Sequence, residues 1–537
     1  MNKIKALAIF FLILSISLSQ NDVEEMMRKL EEATRKEMEK TQKKVEQYIS
    51  AQDSAFAAFL EQDWELYNTY DGINNLEEPK LKKPPVAKPT QEIDLPDKKI
   101  RDIPIPKKEK VEDKKTEPEK IKPETESTEP KPQQSEPQDL FPEPEFPASE
   151  SMKPEPEKPD KKSIEPGKKT APEYEEKMKS VRLNFYGAPV EIDYHAELAT
   201  NLKSPFDNKD ISRSWKKLAA ADYQNFIEKL QNYKDKLNIN GWGYYKLINR
   251  VGLEINRGSR NNASIFTWFF LTKSGYDVRV AYNEKNLYIL MPSESMLYSV
   301  SYLTIDGEKY FLLNRQNRKD KIYSYKNDYP NANKKLELKM TTEPVLTQQG
   351  ESKVLDFNYG GERQKIEVAY NPAIIEYLND YPQTEYEIYF SAPLSSGSKR
   401  QLLQELAPLL EGKNETEAVN FLLRFVQKSF DYQTDEMHFG REKPLFPEET
   451  LFYPFSDCED RSVLFSYLVR NLLGLEVIGL KYPGHIATAI RIEGPARGDY
   501  FTYHGSNYLI CDPTYINANI GQCMPKYKNI QPEVVFR

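Results

Sequence analysis

Apolar positions change their spacing several times along this chain, and each change marks an element. Over residues 21–71 the spacing is helical: charged residues dominate 21–47, and Phe56, Phe59, Leu60, Trp64, Tyr67 and Tyr70 then recur on one face. Gly72 is the expected stop. The stripe predicts packing against the downstream domain or another copy, the alternative being a coiled-coil or partner-binding arm. Residues 73–172 lose periodicity in a proline-, lysine- and glutamate-rich stretch, which predicts a disordered linker, because such a composition buries too little apolar surface to offset chain entropy. Folded patterning resumes in 173–344: strand-turn-strand over 180–192, helices near 209–220, 222–237 and 243–254, and a helix after Ser259 closed by Gly275. Strands at 277–282, 287–292, 297–305 and 309–314 follow. Residues 345–396 read as a β-rich connector with strands at 353–359, 364–370 and 385–390 and a hairpin turn at Gly360-Gly361. In 397–537 a strong helix at 414–429 precedes a helix from Cys458 to Gly474. Strand-like runs follow at 476–481, 485–492 and 508–511.

The order helix, glycine, strand, strand, later strand therefore occurs twice. Setting Phe266 on Phe465 and Gly275 on Gly474 is one ungapped shift of 199 residues. It places Ser259 on Cys458 and Asn286 on His485; one further residue of slip places Asn314 on Asp512. The expectation is a degenerate copy without a base, since neither asparagine accepts a proton at neutral pH. The alternative is an unrelated α+β domain.

Composition narrows the function. The formal charge of −8 and pI near 5.5 argue against nucleic acid, which wants a basic face. Lys3 and Lys5, the apolar run 6–18 and Ser17-Leu18-Ser19 read as a signal peptide over 1–19. That run is shorter than the ~20 residues of a membrane span. No cysteine follows it and no later segment is apolar enough to span, so the expected location is periplasmic or extracellular, without a lipid anchor. The mature chain is expected to run as a helical segment (20–72), the linker (73–172) and the three parts 173–344, 345–396 and 397–537. Three cysteines are too few for a disulfide scaffold; Cys511 and Cys523 are either bridged or two buried thiols.

The chemistry concentrates in 445–515. Cys458 lies in Asp457-Cys458-Glu459-Asp460 at a helix start, where backbone N–H groups favour thiolate. His485 opens a later strand and Asp512 ends another, an order that can assemble nucleophile, base and orienting carboxylate. The flanking carboxylates oppose thiolate, so a positive charge has to offset them. The Cys458 backbone N–H is one oxyanion donor, with Gln427 or Tyr453 as candidates for a second. His504 is a fallback base in a turn, and His438 is placed at the cleft.

Pro447-Glu448-Glu449-Thr450-Leu451, Asp457–Asp460, Gly484-His485 and Asp512-Pro513 together resemble the transglutaminase-like cysteine hydrolase superfamily, in particular its bacterial periplasmic cysteine proteinases, over residues 402–525. The resemblance implies an α+β papain/transglutaminase-like half-core, a helix bearing Cys458 on an antiparallel sheet. It also implies a Cys458–His485–Asp512 triad acting on carboxamides. Some of these proteinases hold calcium through the acidic tetrapeptide, which implies a Ca²⁺ site at Asp457, Glu459 and Asp460; the other reading is that these groups cap the helix and pair with Arg461 or another base. The expected activity is peptide or amide hydrolysis on an envelope protein or peptide. Acyl transfer to amines and a non-catalytic peptide- or glycan-binding role are the alternatives.

Overall fold

The computed structural model describes residues 20–73, 80–88, 178–283, 285–314, 321–347, 349–492 and 497–537. The expected signal peptide and most of the expected linker lie outside them. Among the described residues the chain is α+β, built on two large antiparallel sheets, and no helix is long and apolar enough to cross a membrane.

Helix α1 (Gln20–Leu60) stops earlier than its apolar stripe suggests. The Trp64 indole donates to the Leu60 carbonyl at 3.0 Å, and the chain turns into strand β1 (Glu65–Asn68), which pairs with β8 (Lys321–Ser324). Tyr67 and Tyr70 thus work from extended chain rather than from the expected helix. The stripe does pack on the downstream unit. Phe56 meets Trp215 edge-on with ring centroids 4.8 Å apart, and the Asp53 carboxylate binds the Lys273 ammonium and the Tyr329 hydroxyl in a buried cluster. The charged half of α1 carries exposed i,i+4 pairs, Glu25–Lys29 and Glu32–Lys36, which stabilise little.

The first unit continues with a hairpin, β2 (Met178–Phe185) and β3 (Ala188–His195), and helices α2 (Asn208–Ala220), α3 (Gln224–Lys236), α4 (Gly241–Ile255) and α5 (Arg260–Lys273). Strands β4 (Arg279–Tyr282), β5 (Leu287–Met291), β6 (Tyr302–Ile305) and β7 (Glu308–Leu312) then join β8 and β1 in the order β1-β8-β4-β5-β7-β6.

The expected connector divides its allegiance. Hairpin β9 (Glu351–Tyr359) and β10 (Glu362–Tyr370) turns at Gly360-Gly361, both at positive φ, and packs Leu355, Phe357, Ile366 and Val368 into the core of the second unit. Helices α6 (Pro372–Asn379) and α7 (Tyr386–Ser391) pack into the first core. The strand expected at 385–390 is thus a short helix. Ile388 and Phe390 are drawn to the inter-unit core, so tertiary packing overrides their β propensity.

The second unit holds α8 (Ser396–Leu410), α9 (Glu415–Lys428), the short strand β11 (Asp431–Tyr432), α10 (Asp435–Phe439), α11 (Pro447–Phe452), β12 (Phe455–Ser456) and α12 (Cys458–Leu468). Its sheet, β13 (Val477–Tyr482), β14 (His485–Arg491), β15 (Tyr500–Tyr503), β16 (Ser506–Cys511) and β17 (Glu533–Phe536), is ordered β15-β16-β14-β13-β17. Read from the other edge, that is the order of β8-β4-β5-β7-β6. The registers agree as well. Arg279 faces Leu290 as Ile478 faces Ala489, an offset of 199 residues. Leu290 faces Leu312 as Ala489 faces Ile510, which carries the one-residue slip anticipated for Asn314 and Asp512.

Phe56→Ala removes a buried ring from the seam between α1 and α2. The expected loss is about 3 kcal/mol of apparent stability, read as a lower urea midpoint in the fluorescence of Trp215 and Trp268.

Candidate active site

Helix α12 is buried along its whole length. Asp460 caps its start: Oδ2 accepts from the Asp457 backbone N–H at 3.1 Å and Oδ1 from that of Leu445 at 2.8 Å. Its last residues pass into a single π-turn, Val469–Leu473, and stop at Gly474, whose φ of +64° suits glycine. The chain returns through β13, and the Pro483-Gly484 turn places His485 opposite Tyr482 at the head of β14. Strand β14 runs beneath α12. The Ser462 hydroxyl donates to the Ile486 carbonyl at 3.1 Å, and the Ile486 backbone N–H reaches the Cys458 sulfur. Next in the sheet, β16 ends at Cys511 opposite Thr488, so Asp512 emerges beside His485.

His485 Nε2 and Asp512 Oδ2 are 2.9 Å apart. The other carboxylate oxygen accepts from the backbone N–H groups of Thr514 and Tyr515 at 2.9 and 3.1 Å. The Tyr527 ring stacks on the imidazole at 3° and 5.1 Å between centroids. With Nε2 towards Asp512, Nδ1 is left for other chemistry. Of the three sequence candidates, His485 and Asp512 are directly bonded. Cys458 is next to them through Ile486, but its sulfur makes no hydrogen bond to the imidazole and lies 3.1 Å from Glu459 Oε2.

The expected thiolate is not what this environment favours. Burial, then the charges of Glu459 and Asp457, push the Cys458 thiol well up, although the Lys80 ammonium pulls the other way. Cys458 and His485 are each only 1% exposed. Part of the cover is residues 80–88, inside the stretch expected to be a disordered linker. The Lys80 ammonium sits 3.0 Å from Asp457 Oδ2, 2.6 Å from Glu442 Oε1 and 3.4 Å from Asp435 Oδ2, and also contacts Glu459. Leu81 packs on the cluster of Tyr482, Met524 and Tyr527. The Ala87 N–H donates to the Ile516 carbonyl at 2.7 Å, and the Ile516 N–H donates to the Pro85 carbonyl at 2.9 Å. A residue 377 positions before Asp457 supplies the positive charge that the tetrapeptide needs. One chain of a low-complexity run docks because lysine finds four carboxylates and Pro-Pro is already extended.

Burial disfavours charge on Lys80, but Glu459, Asp457, Asp435 and Glu442 outweigh it and hold its pKa well above the usual lysine value. The carboxylates shift upward together. Burial, then Glu459, pushes Asp457 up to about 8; burial, then Asp457, pushes Asp460 up to about 7. Asp435, Glu442 and Glu459 are raised chiefly by burial.

As calcium ligands, the tetrapeptide acids fit in part. Ligand atoms converge in three overlapping triplets, Asp457–Cys458–Glu459, Asp435–Asp457–Asp460 and Asp435–Glu442–Glu459, but both oxygens of Asp460 accept backbone N–H groups. A divalent ion at the other four carboxylates would displace Lys80. Arg461 pairs with none of them; it donates to Ser456 Oγ and to the carbonyls of Gln427 and Phe430, joining α12 to the end of α9.

Both candidates for the second oxyanion donor fall away. The Gln427 amide donates to the carbonyls of Asp512, Tyr515 and Ala518 at 2.9–3.1 Å, so it braces the Asp512 loop and has no donor left. The Tyr453 ring packs among His438, Phe439 and Phe452, with its hydroxyl bonded to Asn379. Tyr432, missed in the sequence, is better placed. Parallel pairing of β11 with β12 sets it opposite Ser456, two residues before Cys458. Its hydroxyl oxygen is buried with no partner, and burial, then the Cys458 charge, pushes the phenol up. Only a two-residue strand carries it, which is too short a pattern to read.

His438 meets Phe439 edge-on and Phe455 at a tilt, and burial lowers its pKa; His504 occupies the β15–β16 turn at φ +48°. Cys511 and Cys523 are separate buried thiols. In the first unit, Asn314 donates to Ser264 and the Leu287 carbonyl while Ser259 bonds Asn262. No hydrogen bond joins Ser259, Asn286 and Asn314. Glu448, from the Pro447–Leu451 motif, accepts from Asn371, Ser395 and Ser398 and ties the connector to α11.

No family model, curated protein or solved structure matches the chain.

Gln427→Leu removes the three hydrogen bonds that brace the Asp512 loop, and the expected loss is roughly 3 kcal/mol of apparent stability in a urea titration. Stability should also depend on pH. Carboxyl groups whose folded pKa is raised contribute stability that is fully present below their unfolded values near 4 and is lost as pH rises through 7 to 8. The thermal midpoint should fall from pH 6 to 9, and Asp457→Asn should flatten that fall.

Proposed function

We propose that the chain is an exported thiol hydrolase of amide or peptide bonds, with a transglutaminase-like half-core formed by α12 and the sheet β13–β17. The carrying observation is the buried His485–Asp512 pair, one residue from Ile486, whose backbone N–H lies beside the Cys458 sulfur. Asp512 fixes the imidazole with Nδ1 free to take the thiol proton as the sulfur attacks a carbonyl carbon. Charge then develops on the carbonyl oxygen. The Cys458 backbone N–H, at the start of α12, and the unpartnered Tyr432 hydroxyl are the donors for it. Collapse forms an acyl-thioester and expels the amine with the proton returned by His485; water deprotonated by the same imidazole then attacks the thioester carbon, the C–S bond breaks, and the imidazolium returns the proton to the departing Cys458 sulfur as the acid leaves. The copy in 173–344 lacks sulfur, base and carboxylate at the matching positions and acts as scaffold.

Two further parts of the reading come from sequence. The leader over 1–19 supports export, and the acidic balance supports a protein or peptide substrate of the envelope rather than nucleic acid. A calcium ion, if it replaced Lys80 among the four carboxylates, would supply the same neutralising charge. The raised, covered thiol favours one competing reading, a non-catalytic binding protein of the same fold.

A fluorogenic peptide library, incubated with the full chain, separates them. Hydrolysis that Cys458→Ala and His485→Ala both abolish is the expected result. Tyr432→Phe should lower kcat about 100-fold with KM little changed. No turnover even after residues 80–88 are displaced would leave the binding reading.

A further inference from the structure

We propose that Asp435, Glu442, Asp457 and Glu459 form a recognition pocket for the primary ammonium of a lysine on an extended chain, and that residues 80–88 are its built-in occupant, holding the cleft shut. This rests on the hydrolase reading of the cleft.

The occupant shows how the pocket works. Lys80 is 8% exposed, and four carboxylates from three separate stretches of the chain converge on its single nitrogen. A compact ammonium with three donors suits that convergence, whereas the planar guanidinium of arginine wants a fork of two parallel acceptors. The pocket retains unused capacity: Asp457 Oδ1 is buried with no partner in a fully buried side chain.

The rest of the segment engages the cleft as a ligand backbone does. Ala87 and Pro85 bond Ile516 through main-chain groups alone, four residues past Asp512. Leu81 packs against the apolar cluster that includes Tyr527, the residue stacked on His485. Val86 stays 63% exposed. Main-chain pairing fixes the path, and one side-chain pocket supplies selectivity, a division of labour common where extended peptides are recognised. The substrate class is therefore a protein segment bearing lysine in extended conformation, and the same contacts make the resting chain latent.

Two variants of the full chain open the segment by different routes. Lys80→Ala empties the pocket; Ala87→Pro removes the N–H donated to Ile516 and leaves the pocket untouched. Iodoacetamide labelling of Cys458, located by peptide mass spectrometry at pH 7.5, should accelerate on the order of tenfold or more in both. A labelled peptide with the sequence of residues 80–88 should bind the Lys80→Ala chain about 30-fold more tightly than the same peptide with norleucine at its first position. Equal labelling in all three chains, or equal binding of the two peptides, overturns the inference. Neither readout needs turnover: opened, lysine-selective variants that hydrolyse no amide would retain the pocket and remove the hydrolase reading instead.

Discussion

Negative charge at the start of one buried helix is the constraint around which the second unit is arranged. Five carboxylates (Asp435, Glu442, Asp457, Glu459 and Asp460) meet near the first turn of α12, where desolvation makes every uncompensated charge expensive. The structure answers in three ways. Asp460 takes two backbone N–H groups, Lys80 brings an ammonium from far upstream, and the remaining acids hold protons more tightly than they would in water. Cys458 inherits the result, its thiol held up first by burial and then by the same carboxylates that draw the lysine in.

The two sheets share strand order and register, slip included, yet only the second carries an imidazole and a carboxylate at the matching positions. In the other, the matching asparagine, Asn314, bonds the backbone of β5 and Ser264 on α5. In the second unit the carboxylate at the matching position bonds instead the His485 imidazole at the head of the neighbouring strand and the N–H groups of Thr514 and Tyr515. The β14–β16 register brings the strand ends that carry His485 and Asp512 close together, and the identity of the side chains there decides what bond forms.

Much of this was legible. Helices of the first unit, the Gly360-Gly361 hairpin and the stop at Gly474 follow from periodicity and turn chemistry, and the repeat was readable from Phe266 and Gly275. The expectations that failed did so for identifiable reasons. The stripe from Phe56 to Tyr70 continues its apolar pattern through a change from helix to strand, because both face one core. Residues 385–390 look like a strand locally but are claimed by a helix-lined seam. At the site, Gln427 has the right chemistry and the wrong engagement, Tyr432 gives no pattern, and Lys80 is one lysine among many until the acids it meets are folded around it.

The covering segment is also tied down close by. The Ile73 carbonyl accepts the Ser299 N–H at 2.9 Å, and Lys80 follows seven residues later. Whatever path joins them, it spans at most about 25 Å. A leash that short keeps the occupant at millimolar-scale effective concentration. A free competitor of equal intrinsic affinity, present at micromolar levels, would displace it only rarely. Cleavage of the backbone between these two anchor points would leave the occupant joined to the body only through the chain from residue 89 to residue 177, a far longer tether that lowers its effective concentration and weakens the block.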